Sequence, residues 1–164
     1  MTVSMNRAMA ELLAGRDLDS HGAMPWPPRY VQIIEGGWVR RSSGALVLGW
    51  ASVEPDYDPG RDFDLMGYET SVNRMDVPDD GVDAATPDAL SILAARGYRL
   101  VTRLFARIDP ALPRATVVGI VSVRYHYQGK PGGRIRLHEV HEGVQPYGGD
   151  LEGFAQEAIV RLEV

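Results

Sequence analysis

The clearest periodicity in the chain lies between residues 88 and 108. There Leu90, Leu93, Ala94, Gly97, Val101, Leu104 and Ile108 recur at three- and four-residue intervals, a spacing that predicts one long amphipathic helix. Thr86 or Asp88 can cap its start, Pro87 suits a first turn, and Pro110 and Pro113 stop it. Arg96, Arg99, Arg103 and Arg107 fall mostly off the apolar stripe and predict a cationic flank. A shorter stripe of Met5, Met9, Leu12 and Leu13 predicts a helix over residues 4–14, with Ser4 placed to cap it and Gly15 to end it.

Elsewhere the pattern predicts strands. The runs YVQII at 30–34, WVRR at 38–41 and ALVLGWASV at 45–53 are divided by glycines and serines and read as a meander. The stretch from Leu46 to Trp50 is almost wholly apolar, as in a central strand covered on both faces. LMGYETSV at 65–72 predicts a further strand, and ATVVGIVSVRYHYQ, the turn GKPGG and RIRLHEVHE predict a β-hairpin, with AIVRLEV as a last strand. Three segments break the pattern: a connector at 16–29 containing Pro25, Trp26, Pro27 and Pro28, and acidic loops at 54–64 and 76–88. Trp26 reads as a ring covering the edge of the core. The order of elements describes a single α+β domain over residues 1–164. Its sheet is mostly antiparallel, with an N-terminal helix and one longer helix packed on it, and a C-terminal hairpin plus last strand.

If the hairpin turn centres near Pro131, strand alternation puts Val121, Val123, Tyr125, Tyr127, Ile135 and Leu137 on the core face. The opposite face then collects Ser122, Arg124, His126, Gln128, Arg134, Arg136 and His138. Arginines facing one another across a strand pair need a counter-charge. Two readings remain open: the face is relieved by carboxylates of the acidic loops at 54–64 or 76–88 in the same chain or by water, or it is relieved by an acidic neighbour. On the second reading Arg124, His126, Arg134, Arg136 and His138 form an acid-seeking interface, and the neighbour can be a second copy of the same chain.

Composition narrows the classes. The hydrophobic share of 45% and charged share of 24% are those of a folded globular chain. Cysteine is absent, which removes disulfides and thiolate metal sites. A net charge of −5 disfavours a dedicated nucleic-acid binder. Arg7 and Glu11 interrupt the N-terminal apolar residues, so no signal peptide is expected there, and no stretch reaches membrane-span length. A cytoplasmic or virion-resident protein is the expectation.

The chemical motifs are sparse. His138, Glu139 and His141, with His126 brought near across the hairpin, invite a test for a two-histidine, one-carboxylate metal site. Residues three apart in a strand point to opposite faces, so no metal and no cofactor is assigned. Asp56, Asp58, Asp62 and Asp64 lack the glycine and distal glutamate of a calcium-binding EF-hand loop, and GKP at 129–131 lacks the spacing of a phosphate loop. Nothing places a nucleophile beside a base, so no catalytic residue is named.

Taken in order, an N-terminal helix, a β meander, an acidic loop, one long helix and antiparallel strands resemble the tail-terminator proteins of long-tailed bacteriophages. DVPDDGVDAATPDALSILAARGYRLVTRLFARIDPALP and the terminal AIVRLEV carry most of that likeness. The resemblance implies a non-enzymatic virion component at the head–tail junction that forms a ring and touches itself and neighbouring assembly proteins. It assigns no role to any single residue. Two alternatives stand beside it: a small-molecule-binding or enzymatic α+β barrel with Trp38, Trp50, Tyr125 and Tyr127 lining an apolar pocket, and an inhibitor or immunity-type protein acting through its acidic loops.

Overall fold

The computed structural model describes residues 1–18, 20–110, 116–144, 147, 149–154 and 156–164. Along these run β1 (Thr2–Met5), α1 (Arg7–Leu13), α2 (Pro28–Gly36), β2 (Trp38–Arg40), β3 (Leu46–Leu48), α3 (Leu65–Val72), β4 (Met75–Asp76), α4 (Ala89–Phe105), β5 (Val117–Tyr125), β6 (Pro131–Glu139) and β7 (Ala158–Glu163). Single turns of 3-10 helix occupy Gly49–Val53 and Tyr127–Gly129. The fold is α+β. Five strands form an antiparallel sheet in the order β1-β7-β5-β6-β4, and β2 pairs with β3 in a separate ribbon.

Strand alternation decides what each sheet face buries. Val121, Val123, Ile135, Leu137, Val160 and Leu162 point toward α4 and meet Leu93, Ala94, Leu100, Val101 and Leu104 in the main core. Two glycines let helix and sheet approach closely. A Cβ on Gly97 would lie 2.4 Å from Val121 Cγ1, and one on Gly119 would lie 2.5 Å from Val101 Cγ1. On the other face Val118, Ile120 and Ile159 pack beneath Val140, Tyr147, Leu151 and Phe154.

The long helix and the last three strands lie where the pattern predicts, with Pro113, the second expected helix stop, outside the described residues. Two predicted strands are helices instead. Residues 30–34 belong to α2, where Pro28 sits in the first turn and Tyr30, Ile33 and Ile34 are buried at helical spacing before Gly37 ends the helix at φ 59°. Residues 65–72 form α3, capped by the Asp64 carboxylate, which accepts the Gly67 N–H at 2.5 Å. Leu65, Tyr68 and Val72 of that helix pack on Ala45, Val47 and Ala51. Both runs are short enough to fit either period, and packing selects the helical one.

Smaller corrections follow the same logic. The predicted N-terminal helix begins later, because residues 2–5 pair with β7. Asn6, not Ser4, caps α1; its Oδ1 accepts the N–H groups of Met9 and Ile159, both at 3.0 Å. The run 46–50 is a strand only to Leu48, then turns. Arg96 lies off the expected cationic flank, buried, donating to the carbonyls of Gly22, Pro78 and Asp80 at 3.2, 3.1 and 3.0 Å and so tying both neighbouring loops to α4. Arg99 lies over the Trp26 ring, which packs at the core edge.

Candidate functional site

The register of the hairpin sets the site. β5 and β6 pair from Val117–Glu139 through Ser122–Arg134 to Tyr125–Pro131. The turn therefore spans His126 to Lys130, before Pro131, closed by the His126 N–H donating to the Lys130 carbonyl at 2.8 Å. Gln128 and Gly129 take left-handed backbone at φ 75° and 73°. This differs from a turn centred on Pro131 but keeps the parity, so Val121, Val123, Ile135 and Leu137 are core as expected. Tyr125 and Tyr127 are not: β7 ends opposite Val123, the ribbon runs on past it, and the two rings are 54% and 95% exposed.

On the outer face Ser122, Arg124, His126, Arg134, Arg136 and Glu157 line a small polar cleft. The chain supplies much of its own counter-charge. Arg134 Nε lies 3.6 Å from Asp76 Oδ1, Arg124 Nη1 lies 3.2 Å from Glu157 Oε1, and Lys130 Nζ lies 3.6 Å from Asp79 Oδ2. Arg136 has an aromatic partner, stacking 5.5 Å from the centre of the Tyr147 ring. These pairs are solvated, worth roughly 0–1 kcal/mol each, and leave the arginines free to exchange partners. The His126 ring covers Gly132, where a Cβ would meet Nε2 at 2.2 Å.

His138 does not share this surface. It is fully buried (0% exposed) beside Val118, with Nδ1 3.0 Å from the Glu139 carbonyl oxygen, and burial holds its pKa below the ordinary histidine value. Four of the five expected residues therefore come together, and the fifth is interior. His126 is also remote from His138. It sits against Gly132, six residues along β6, roughly 20 Å away at ~3.3 Å per residue.

A polar clasp lies at the other end of β6. Glu69 of α3 is fully buried (0% exposed); its carboxylate accepts the N–H groups of Leu46 at 2.7 Å and Glu139 at 2.9 Å, and His141 Nε2 lies 3.1 Å from it. Burial raises the Glu69 pKa, and those donors pull the other way. Asn73 adds to the clasp by accepting the Leu48 N–H at 2.8 Å and donating to the carbonyls of Leu46 and Leu137. Arg40 binds the Glu139 carboxylate through both terminal nitrogens. Ligand atoms of Glu69, Glu139 and His141 lie within 4.8 Å of one another. Both Glu69 oxygens already face N–H groups and Glu139 is neutralised by Arg40, so the arrangement serves as a seam joining α3, β2, β3 and β6. Local sequence gives no sign of it, since Glu69 stands among polar and apolar residues like any exposed glutamate.

The acidic loop at 54–64 is held by its own side chains. Asp56 accepts from Ser42 at 2.8 Å and Ser43 at 2.6 Å, which with backbone donors pulls its pKa well below the usual carboxylate range. Asp62 pairs with Arg61 at 2.7 Å. The aromatics expected around one pocket are dispersed. Trp38 donates to the Leu104 carbonyl at 2.8 Å, Trp50 lies in the 3-10 turn after β3, and the two tyrosines stand at the hairpin end. No helix among the described residues is long and apolar enough to cross a membrane. Comparison with protein-family models, curated proteins and solved structures finds no match to this chain.

Proposed function

We propose that this protein is a structural assembly component that works as a homo-oligomer, of the kind that caps the tail tube at the head–tail junction of long-tailed phages. The observation that carries the reading is the hairpin end. It extends past β7 and leaves Tyr125 and Tyr127 exposed, with Arg124, His126, Lys130 and Arg134 on the same ribbon end. Tyrosine and arginine are the residues that dominate protein interfaces, because each combines a large apolar surface with a polar tip. A chain that leaves both rings uncovered alone gains by covering them in an assembly. The resemblance to tail terminators, carried by the long helix and the antiparallel strands after it, names the assembly, and the virion is the location that goes with it.

Light scattering and negative-stain imaging at physiological salt test this directly. A defined species of several chains is expected. Reversing Arg134 and Arg136 to glutamate is expected to weaken association at least tenfold while the melting temperature barely moves. A strictly monomeric wild-type protein at high concentration would overturn the reading.

A further inference from the structure

The two ends of the β6 ribbon differ in charge. From Val117 to His138 the chain carries no carboxylate and holds Arg124, Lys130, Arg134 and Arg136, three of which face Glu157, Asp79 and Asp76 from neighbouring segments in exposed pairs, whereas residues 54–64 hold five acids and one arginine. Their positions follow from the contacts of α3. Glu69 meets Glu139, Asn73 meets Leu137, and Met75 and Asp76 pair with Ile135 and Arg134. The chain from 69 to 76 thus tracks β6 backwards, and the loop before α3 leads away beyond Glu139. The hairpin turn lies past the other end, ~26 Å off along a strand of nine residues.

The acidic end also has a receptive shape. Glu54, Pro55, Phe63, Gly67, Tyr68 and Val72 line an open, largely apolar groove between the loop and α3. Phe63 stands at its rim, 99% exposed, and Glu54 is exposed with no ion pair among the described residues. The hairpin offers matching groups: the Tyr127 ring for the apolar groove and the Lys130 ammonium, whose exposed 3.6 Å pair with Asp79 can be exchanged for another carboxylate.

We infer that the hairpin turn of one copy docks in the α3 groove of the next, with Tyr127 beside Phe63 and Lys130 facing Glu54. This rests on the assembly reading and specifies its geometry. Because the two surfaces lie at opposite ends of one chain, the contact is head to tail, and each copy offers one of each. The ends of a single copy cannot meet one another, because the length of β6 separates them.

Two variants test it. Tyr127→Ala with Lys130→Glu disables the hairpin, and Glu54→Lys with Phe63→Ala disables the groove. All four side chains are exposed, so melting temperatures should stay within a few degrees of wild type. Each variant alone is expected to lose association at least tenfold. Mixed in equal amounts, they should form a species of two chains and nothing larger, since one intact hairpin meets one intact groove and both remaining ends are dead. If either double variant melts early, Lys130→Glu and Glu54→Lys alone ask the same question. A wild-type oligomer whose groove variant assembles normally, or two folded variants that do not combine, would overturn this contact and leave the assembly reading intact. A monomeric wild type would instead overturn that reading itself.

Discussion

At the scale of single residues, the fold leans hardest on buried polar groups that tie distant segments together. Glu69 is the clearest case, since one carboxylate satisfies backbone donors on β3 and on β6. Glu69→Ala would leave one buried and one partly buried N–H group without acceptors and open a cavity, so a loss of about 3 kcal/mol is expected. Urea denaturation measures it; a loss below about 1 kcal/mol would mean water reaches those groups. Such residues are invisible in a sequence because their burial comes from tertiary neighbours. Arg96 misled the pattern for the same reason, as a cation placed by helical spacing on a flank and then enclosed by carbonyls from two loops.

At the scale of elements, the close approach of α4 to the sheet depends on the absence of side chains at Gly97 and Gly119. A methyl group at 119 would crowd Val101, Leu137 and Phe105 at 2.5 to 3.1 Å. Gly119→Ala is therefore expected to destabilise the protein by about 1–3 kcal/mol, read as a lower melting temperature, and an unchanged melt would show that the helix can lift away freely. The elements that were legible in the sequence are those with long, single-period patterns: α4 over seventeen residues and β5 and β6 over nine each. Those misread, α2 and α3, are nine and eight residues long. Their local signals were present in Pro28 and Asp64, but a run of five apolar-rich residues satisfies alternation as well as helical spacing. The hairpin faces survived a displaced turn because parity alone decides which side a residue faces. Tyr125 and Tyr127 fell outside the rule because the strands pairing beside them stop short.

At the scale of the whole molecule, a net charge of −5 conceals an uneven distribution. The cations of the ribbon end are matched in part by Asp76, Asp79 and Glu157 through exposed pairs, and what remains cannot be met by the acidic loop end across the length of β6. In the proposed contact the two ends attract between copies instead, most strongly where salt is low. Association should weaken by at least tenfold between about 0.05 and 0.5 M salt, as screening shortens from roughly 14 Å to 4 Å, and sedimentation across that range measures it. Salt-independent association would assign the contact to apolar surface alone. The candidate face was partly legible from sequence because four of its residues alternate along two adjacent strands. Its acidic counterpart was not, because what makes it a groove is the helix that replaced an expected strand.

The sheet order has one further consequence, for the time course of folding. Among the described residues β1 pairs with β7 alone, with Thr2 opposite Glu163 and Met5 opposite Val160, and Asn6 reaches the same strand at Ile159. β1 therefore joins a partner strand across a large sequence separation, 153 residues between Asn6 and Ile159, and such a closure is costly in conformational entropy. The hairpin and α4 can nucleate early through near contacts, leaving the N-terminal segment to dock last and seal the structure.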